Sequence, residues 1–378
     1  MIFFDNAATT MQKPEEVREA VFRAIGTLGN CGRGAHGASL DAMRVVYETR
    51  EQAAALFGLD NSLQVAFTQN STAALNMAIK GLIHPGDHVI TTVMEHNSVL
   101  RPLYEMEERG VGLSFVSCDE KGRLRCDELD SLLRPNTRAV ICTHASNLTG
   151  NGVDAARIGR FCREHGLLFL LDASQSAGCL EVNMEELHAD VICFTGHKGL
   201  YGPQGTGGLC VREGVEIAPM FSGGSGVHSY DHRHPSSMPA RLEAGTLNGH
   251  GLAGLKAGIE FVRRIGVSSI RKREQELLHR FYQGISSVPG IKIYGDVTSE
   301  HHTGVIAFNL GAYDSGEVCD ELMTRFEIAA RPGAHCAPLM HKALGTVEQG
   351  AVRFSFSWFN TEDEVDRGIA AVRQLAQE

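Results

Sequence analysis

The sequence predicts an α/β fold: a mostly parallel sheet in a large unit, followed by a smaller α+β unit. Three features of the 378-residue chain lead there. Its short apolar runs are continuous rather than alternating, which is how strands buried on both faces read. Helical patterns separate these runs, and alternating strand and helix is the signature of parallel connections. After about residue 248 the texture changes to long helix and then short strands.

Taken in order, LQVAFT (63–68), HVITTV (88–93), LSFVS (113–117), AVICT (139–143), LLFLLD (167–172) and VICFT (191–195) are expected strands. STAALNMAIKGL, SVLRPLYEMEERG and VDAARIGRFCREHG carry helical spacing between them. GHGLAGLKAGIEFVRRIGVSSIRKREQELLHRFYQGI reads as long helix with a joint at Gly266. IKIYG, TGVIAFNL and VRFSFSW then supply the strands of the smaller unit. The length suits about two domains, expected at 12–255 and 256–378 and joined by the N-terminal segment 1–11.

Composition narrows the function. A net charge of −10 and a pI near 5.9 argue against nucleic acid, which wants a basic face. No run is long and apolar enough to predict a membrane span, and MIFFDNAATT lacks a basic leader, so a cytoplasmic protein is expected. None of the ten cysteines forms a C-x-x-C pair, and the His228, His232 and His234 cluster reads as a solvated loop, so no metal site is expected. His301–His302 reads as a surface turn. One cysteine has an unusual setting. RPGAHCAPLMH holds Cys336 on a short loop stiffened by two prolines, a place suited to a thiol that meets something.

Three strand ends carry candidate chemistry. FTQNST brings a strand into a helix starting near Ser71 and Thr72, where free N–H groups favour an anion, although hydroxyls there also serve as a plain cap. Asp172 ends the run LLFLLD, so its carboxylate sits at the rim of a buried sheet. It either caps the next turn or partners a protonated ring nitrogen. Lys198 in FTGHKGLYGPQG follows a buried strand, a setting in which a lysine loses its proton readily and suits Schiff-base chemistry. The glycines do not spell a nucleotide loop, because G-x-x-x-x-G-K-[ST] is absent. Anion cup, acidic partner and strand-end lysine together describe a site for pyridoxal 5'-phosphate.

With DNAATT, MEHNS, HASNLTG, LDASQ, TGHK, RLEAGT, R-x4-C and FNTEDEVD in this order, the chain resembles the class V aminotransferase superfamily along nearly its whole length. Within it, the chain resembles the cysteine desulfurases and selenocysteine lyases, of group II-like form. The resemblance implies pyridoxal-phosphate fold type I and an enzyme that converts L-cysteine or L-selenocysteine to L-alanine. It assigns Ser71, Thr72, Thr195 and His197 to the phosphate and His96 to stacking on the ring, where it also acts catalytically. Asn147 and Gln175 fall near the ring, Asp172 at the pyridinium, and Lys198 at the covalent attachment point. Thr246 of RLEAGT reaches the neighbouring subunit's phosphate, which implies a homodimer. Arg353 clamps the substrate carboxylate, with Asn147 and His36 of GRGAH close to the substrate. Cys336 takes sulfur or selenium as a persulfide and passes it to an acceptor protein or small thiol. Rival readings are another class V activity and a non-catalytic sulfur-carrier scaffold.

Four positions depart from the family pattern. Ala73 follows the hydroxyl pair where a glutamate is usual, and Gly199 is an extra residue after Lys198. Residues 222–240 are shortened, and Asn97 follows the stacking histidine, a choice that points toward selenium.

Overall fold

The computed structural model describes residues 1–32 and 34–378. The strands, in chain order, are Ile2–Phe3 (β1), Val65–Thr68 (β2), His88–Thr92 (β3), Gly112–Val116 (β4), Thr137–Thr143 (β5) and Leu168–Asp172 (β6). Val191–Thr195 (β7), Gly207–Val211 (β8), Ile291–Tyr294 (β9), Val305–Leu310 (β10), Ile328–Ala329 (β11) and Val352–Ser355 (β12) follow. Seven of them form one sheet in the order β2-β8-β7-β6-β5-β3-β4. Strands β3 to β7 pair in parallel, and β8 runs antiparallel to both neighbours. Their burial, complete at every residue of β3, β7 and β8, explains why the runs lack alternation.

Strand β8 is absent from the sequence expectation, for a physical reason. Its residues GGLCV begin with two glycines, which ordinarily weaken a strand. Here the neighbours require them: a Cβ on Gly208 would come within 2.5 Å of the Ala66 carbonyl oxygen. His302 is a second correction. It is fully buried rather than part of a surface turn, and its Nδ1 lies 2.6 Å from the Thr303 carbonyl oxygen. The two-residue strands β1 and β11 are likewise absent from the expectation, VRFSFSW ends as a strand three residues early at Ser355, and the remaining strands fall within two residues of their expected ends.

The helices Gly249–Ile265 and Val267–Ile285 meet at Gly266, whose φ of 90° favours glycine. Beyond them β12, β10 and β9 form a three-stranded antiparallel sheet. The N-terminus returns to this sheet. β1 pairs in parallel with β11, and Phe4 packs 5.0 Å from Phe354 and 5.1 Å from Phe356. That packing delivers Asp5 to the junction of the two sheets, where it bridges Ser355. Among the described residues no helix is long and apolar enough to cross a membrane.

Candidate active site

The carboxyl ends of the parallel strands deliver their loops to one cavity of about 260 Å³, the position where open α/β sheets place ligands. Three other clefts are larger, about 550, 560 and 290 Å³, but share none of the residues that line this cavity.

From β2 the chain turns through Asn70, which caps the helix Ser71–Leu82 by accepting from Ala73 N at 2.9 Å. The amides of Ser71 and Thr72 are left without intrahelical acceptors, as at any helix start. Thr195 and His197 approach from the end of β7 and line the same cavity. Thr195 Oγ1 and His197 Nδ1 are buried with no partner among the described residues. Burial, with Lys198 and Lys13 nearby, lowers the His197 pKa to about 4, so its ring is neutral. Free amides and unpartnered polar atoms form a cup with unused capacity for an anion.

From β3 comes His96, the N-cap of the helix Asn97–Glu107. Its Nδ1 accepts from Ser98 N at 3.0 Å, which leaves the proton on Nε2. Burial, then the charges of Lys198, Arg331, Arg353 and Arg101, lower its pKa to about 4. The ring is therefore flat, neutral and held at one edge.

Asp172 ends β6 and accepts at Oδ1 from both Ser174 N (2.9 Å) and Ser174 Oγ. Burial raises its pKa, while the Ser174 bonds and Lys198 oppose the rise. Gln175, one turn on, donates to the Ala7 carbonyl at 3.0 Å. Lys198 keeps some surface open to the cavity, yet burial lowers its ammonium to about 8. Asp172 and Asp5 work against that shift, and Arg353 and Arg331 add to it.

Arg353 is 1% exposed and forked between two acceptors: Nη1 donates to the Asn147 carbonyl (2.9 Å) and Nη2 to Asp5 Oδ1 (2.7 Å). Its Nε is buried without a partner. Asn147 donates through Nδ2 to the His335 carbonyl at 2.6 Å, while its Oδ1 is buried and unpartnered. Cys336 does not line the cavity but lies beside it, its carbonyl accepting from Asn97 N at 2.8 Å.

Two assigned residues lie elsewhere in the single chain. Thr246 is exposed and lines separate surface clefts, although its neighbour Glu243 is anchored by Arg50 at 2.5 Å and Phe67 N at 2.7 Å. His36 is exposed, with its ring 3.2 Å from Ser39 Oγ. Arg33 of the same motif lies outside the described residues. The 222–240 stretch contains no helix or strand, and no metal-binding group of three residues occurs among the described residues.

Four residues that the sequence reading passed over belong to the site. Glu95, beside His96, is fully buried. Its Oε1 accepts from Thr92 Oγ1 (2.5 Å) and Thr143 N (3.0 Å), and burial raises its pKa to about 8. Asp5 and Arg331 face the cavity cations or line the cavity itself. Lys13 reaches the peptide that precedes Lys198. The His197 carbonyl receives Lys13 Nζ (3.0 Å), Thr9 Oγ1 (3.2 Å), and both Thr10 N and Thr10 Oγ1 (3.1 Å each).

The residues present fit pyridoxal 5'-phosphate. The unpartnered Thr195 and His197 atoms and the Ser71 and Thr72 amides suit its phosphate. Asp172 suits its pyridinium, His96 its ring face, and the easily deprotonated Lys198 its aldehyde.

A family model described as Aminotransferase class-V matches residues 2–367. A probable cysteine desulfurase of Methanothermobacter thermautotrophicus is 35% identical over 370 residues, covering 96% of this chain and 92% of that protein. The apo structure of a cysteine desulfurase from Thermococcus onnurineus NA1 superposes with a TM-score of 0.93 at 33% identity, covering 100% of this chain and 94% of that one. The cysteine desulfurase CsdA of Escherichia coli, in an S-sulfonic acid form, gives 0.89 at 28% identity, covering 99% and 94%. The architecture is that of fold type I, and the chain belongs to the class V aminotransferase family of pyridoxal-phosphate enzymes.

Proposed function

We propose that this chain is a cysteine desulfurase that releases L-alanine from L-cysteine and takes the sulfur onto Cys336. One observation carries the reading. The Cys336 loop is bonded to Asn97, next to His96, and to Asn147, which accepts from Arg353, so the backbone that carries the thiol is tied to both walls of the lysine-containing cavity. The names of the relatives support it.

When bound, the cofactor supplies an electron sink for charge left on the substrate carbon. The chain supplies the rest. Arg353 holds the substrate carboxylate, and Asp172 stays ionised against a ring cation. Lys198, neutral at Nζ, takes the Cα proton and returns one to the carbon fragment. Cys336 attacks the substrate sulfur as a thiolate: the Sγ–S bond forms, the Cβ–S bond breaks, and its electron pair stays with carbon. Two thiols thereby become a persulfide and the C–H bond of alanine, with no outside reductant. An acceptor protein or small thiol then removes the sulfur.

The same clamp and lysine act on groups that L-selenocysteine shares, so it is a second substrate of the site, with Asn97 beside the stacking histidine. The working unit is a homodimer in which Thr246 reaches the partner subunit's phosphate cup. Its exposure, together with the unfilled capacity around Thr195 and His197, supports this arrangement. Ten free thiols suit a reducing cytoplasm.

Alanine release by wild type and Cys336→Ala tests the reading. The variant should lose turnover of L-cysteine yet keep appreciable cleavage of L-selenocysteine, because a selenol is the more acidic leaving group. Equal residual rates on both substrates would remove Cys336 from the mechanism.

A further inference from the structure

His335 and Cys336 stand at φ of 50° and 56°, two successive non-glycine residues in the left-handed region. Such backbone persists only where surroundings over-determine it. The surroundings are identifiable. The His335 ring is buried against His341, with centroids 5.7 Å apart and planes at 5°, and its Nε2 lies 3.0 Å from the Arg331 carbonyl. The two carbonyls that follow the strained φ angles are each held by a donor from a different strand-end loop. Asn147 Nδ2 takes the His335 carbonyl at 2.6 Å, and the Asn97 amide takes the Cys336 carbonyl at 2.8 Å.

Resting on the desulfurase reading above, we propose that Asn97 and Asn147 form a two-point latch that fixes the loop carrying Cys336 beside the cavity. Asn97 acts through its main-chain N–H and Asn147 through its side-chain amide. Each latch point sits on a residue joined to the substrate machinery. Asn97 directly follows His96, and the Asn147 carbonyl accepts from Arg353. The thiol is thus registered against the ring-stacking histidine and the carboxylate-binding arginine at once. The left-handed turn is the conformation that presents both carbonyls to those donors. Asn97 is a positioning residue, and Asn147 holds the loop through its amide while its other atoms line the cavity.

The structure also offers a variant that removes one donor and sets a ring Cδ against the Cys336 carbonyl which that donor held. Asn97 is the first residue of its helix, where proline is tolerated, and His96 before it has φ −71° and ψ 154°, the extended conformation that a following proline requires. Asn97→Pro deletes the N–H, while Asn97→Ala deletes the side chain and keeps it. The readouts, on holoenzyme, are the rate at which iodoacetamide alkylates Cys336, followed by peptide mass spectrometry, and kcat and KM for L-cysteine. In Asn97→Pro the alkylation rate should rise threefold to tenfold, about the range one lost neutral hydrogen bond represents. Its kcat should fall by a similar factor with KM kept, and Asn97→Ala should match wild type in both. Asn147→Asp, which loses the amide donor but keeps an oxygen toward the cavity, should raise alkylation in the same direction. Alkylation and kcat in Asn97→Pro that equal those of Asn97→Ala would overturn the latch. Failure of the parent reading shows separately, as L-cysteine turnover surviving in Cys336→Ala.

Discussion

Replacing Lys198 by methionine should abolish turnover and, in the cofactor-free protein, stabilise the fold. Burial holds the Lys198 pKa near 8 rather than at its ordinary 10.5. A displacement of that size corresponds to about 3 kcal/mol of unfavourable burial of the charge. Part of Lys198 opens to the cavity, where water trims the penalty to about 2 kcal/mol. Below pH 8 both folded and unfolded chains keep the proton, so the full penalty applies at pH 7. Between pH 8 and 10.5 only the folded chain releases it, so wild-type stability gains on the variant until the penalty is gone. Urea denaturation of apo wild type and apo Lys198→Met at pH 7 and near pH 10 measures this directly. The variant should be more stable by about 2 kcal/mol at pH 7, with most of that difference lost near pH 10. An equal difference at both pH values, or a less stable variant at pH 7, would refute the account of a lysine poised by desolvation. Such a cost at a reactive residue is the usual trade of stability for activity.

Arg353→Lys removes the fork between Asn147 and Asp5 and should raise KM for L-cysteine by roughly 100-fold with a smaller effect on kcat; steady-state kinetics checks the split. Lys13→Met removes a charged donor from the His197 carbonyl and should slow cofactor uptake by the apo-protein about tenfold. Lys13→Arg should restore most of that rate, and stopped-flow absorbance follows both.

Much of the fold was legible because buried parallel strands and amphipathic helices leave different periods in the sequence. Strand β8 was not, because its defining demand is close backbone approach, met by Gly207 and Gly208, and glycine normally argues against a strand. The cavity was legible from the residues themselves at the strand ends of Ser71, Asp172 and Lys198, whereas His96 and Asn147, which line it too, came only from the family resemblance. Asp5, Lys13 and Glu95 escaped notice for two reasons. Asp5 and Lys13 come from a segment that reaches its partners only through long-range docking of β1 on β11. Glu95 reads as an ordinary surface residue until Thr92 and Thr143 are seen to bury it. His302 misled in the same way: a pair of histidines reads as solvated, and only the pairing with Asn151 puts one inside.

The central claim is that sulfur leaves the substrate for Cys336. Holoenzyme mixed with one equivalent of L-cysteine per chain and no other thiol should release one alanine per chain in a single turnover. Peptide mass spectrometry should find one added sulfur on the peptide carrying Cys336 and none on the other nine cysteines. Alanine release without a modified Cys336, or added sulfur on a different cysteine, would contradict the account.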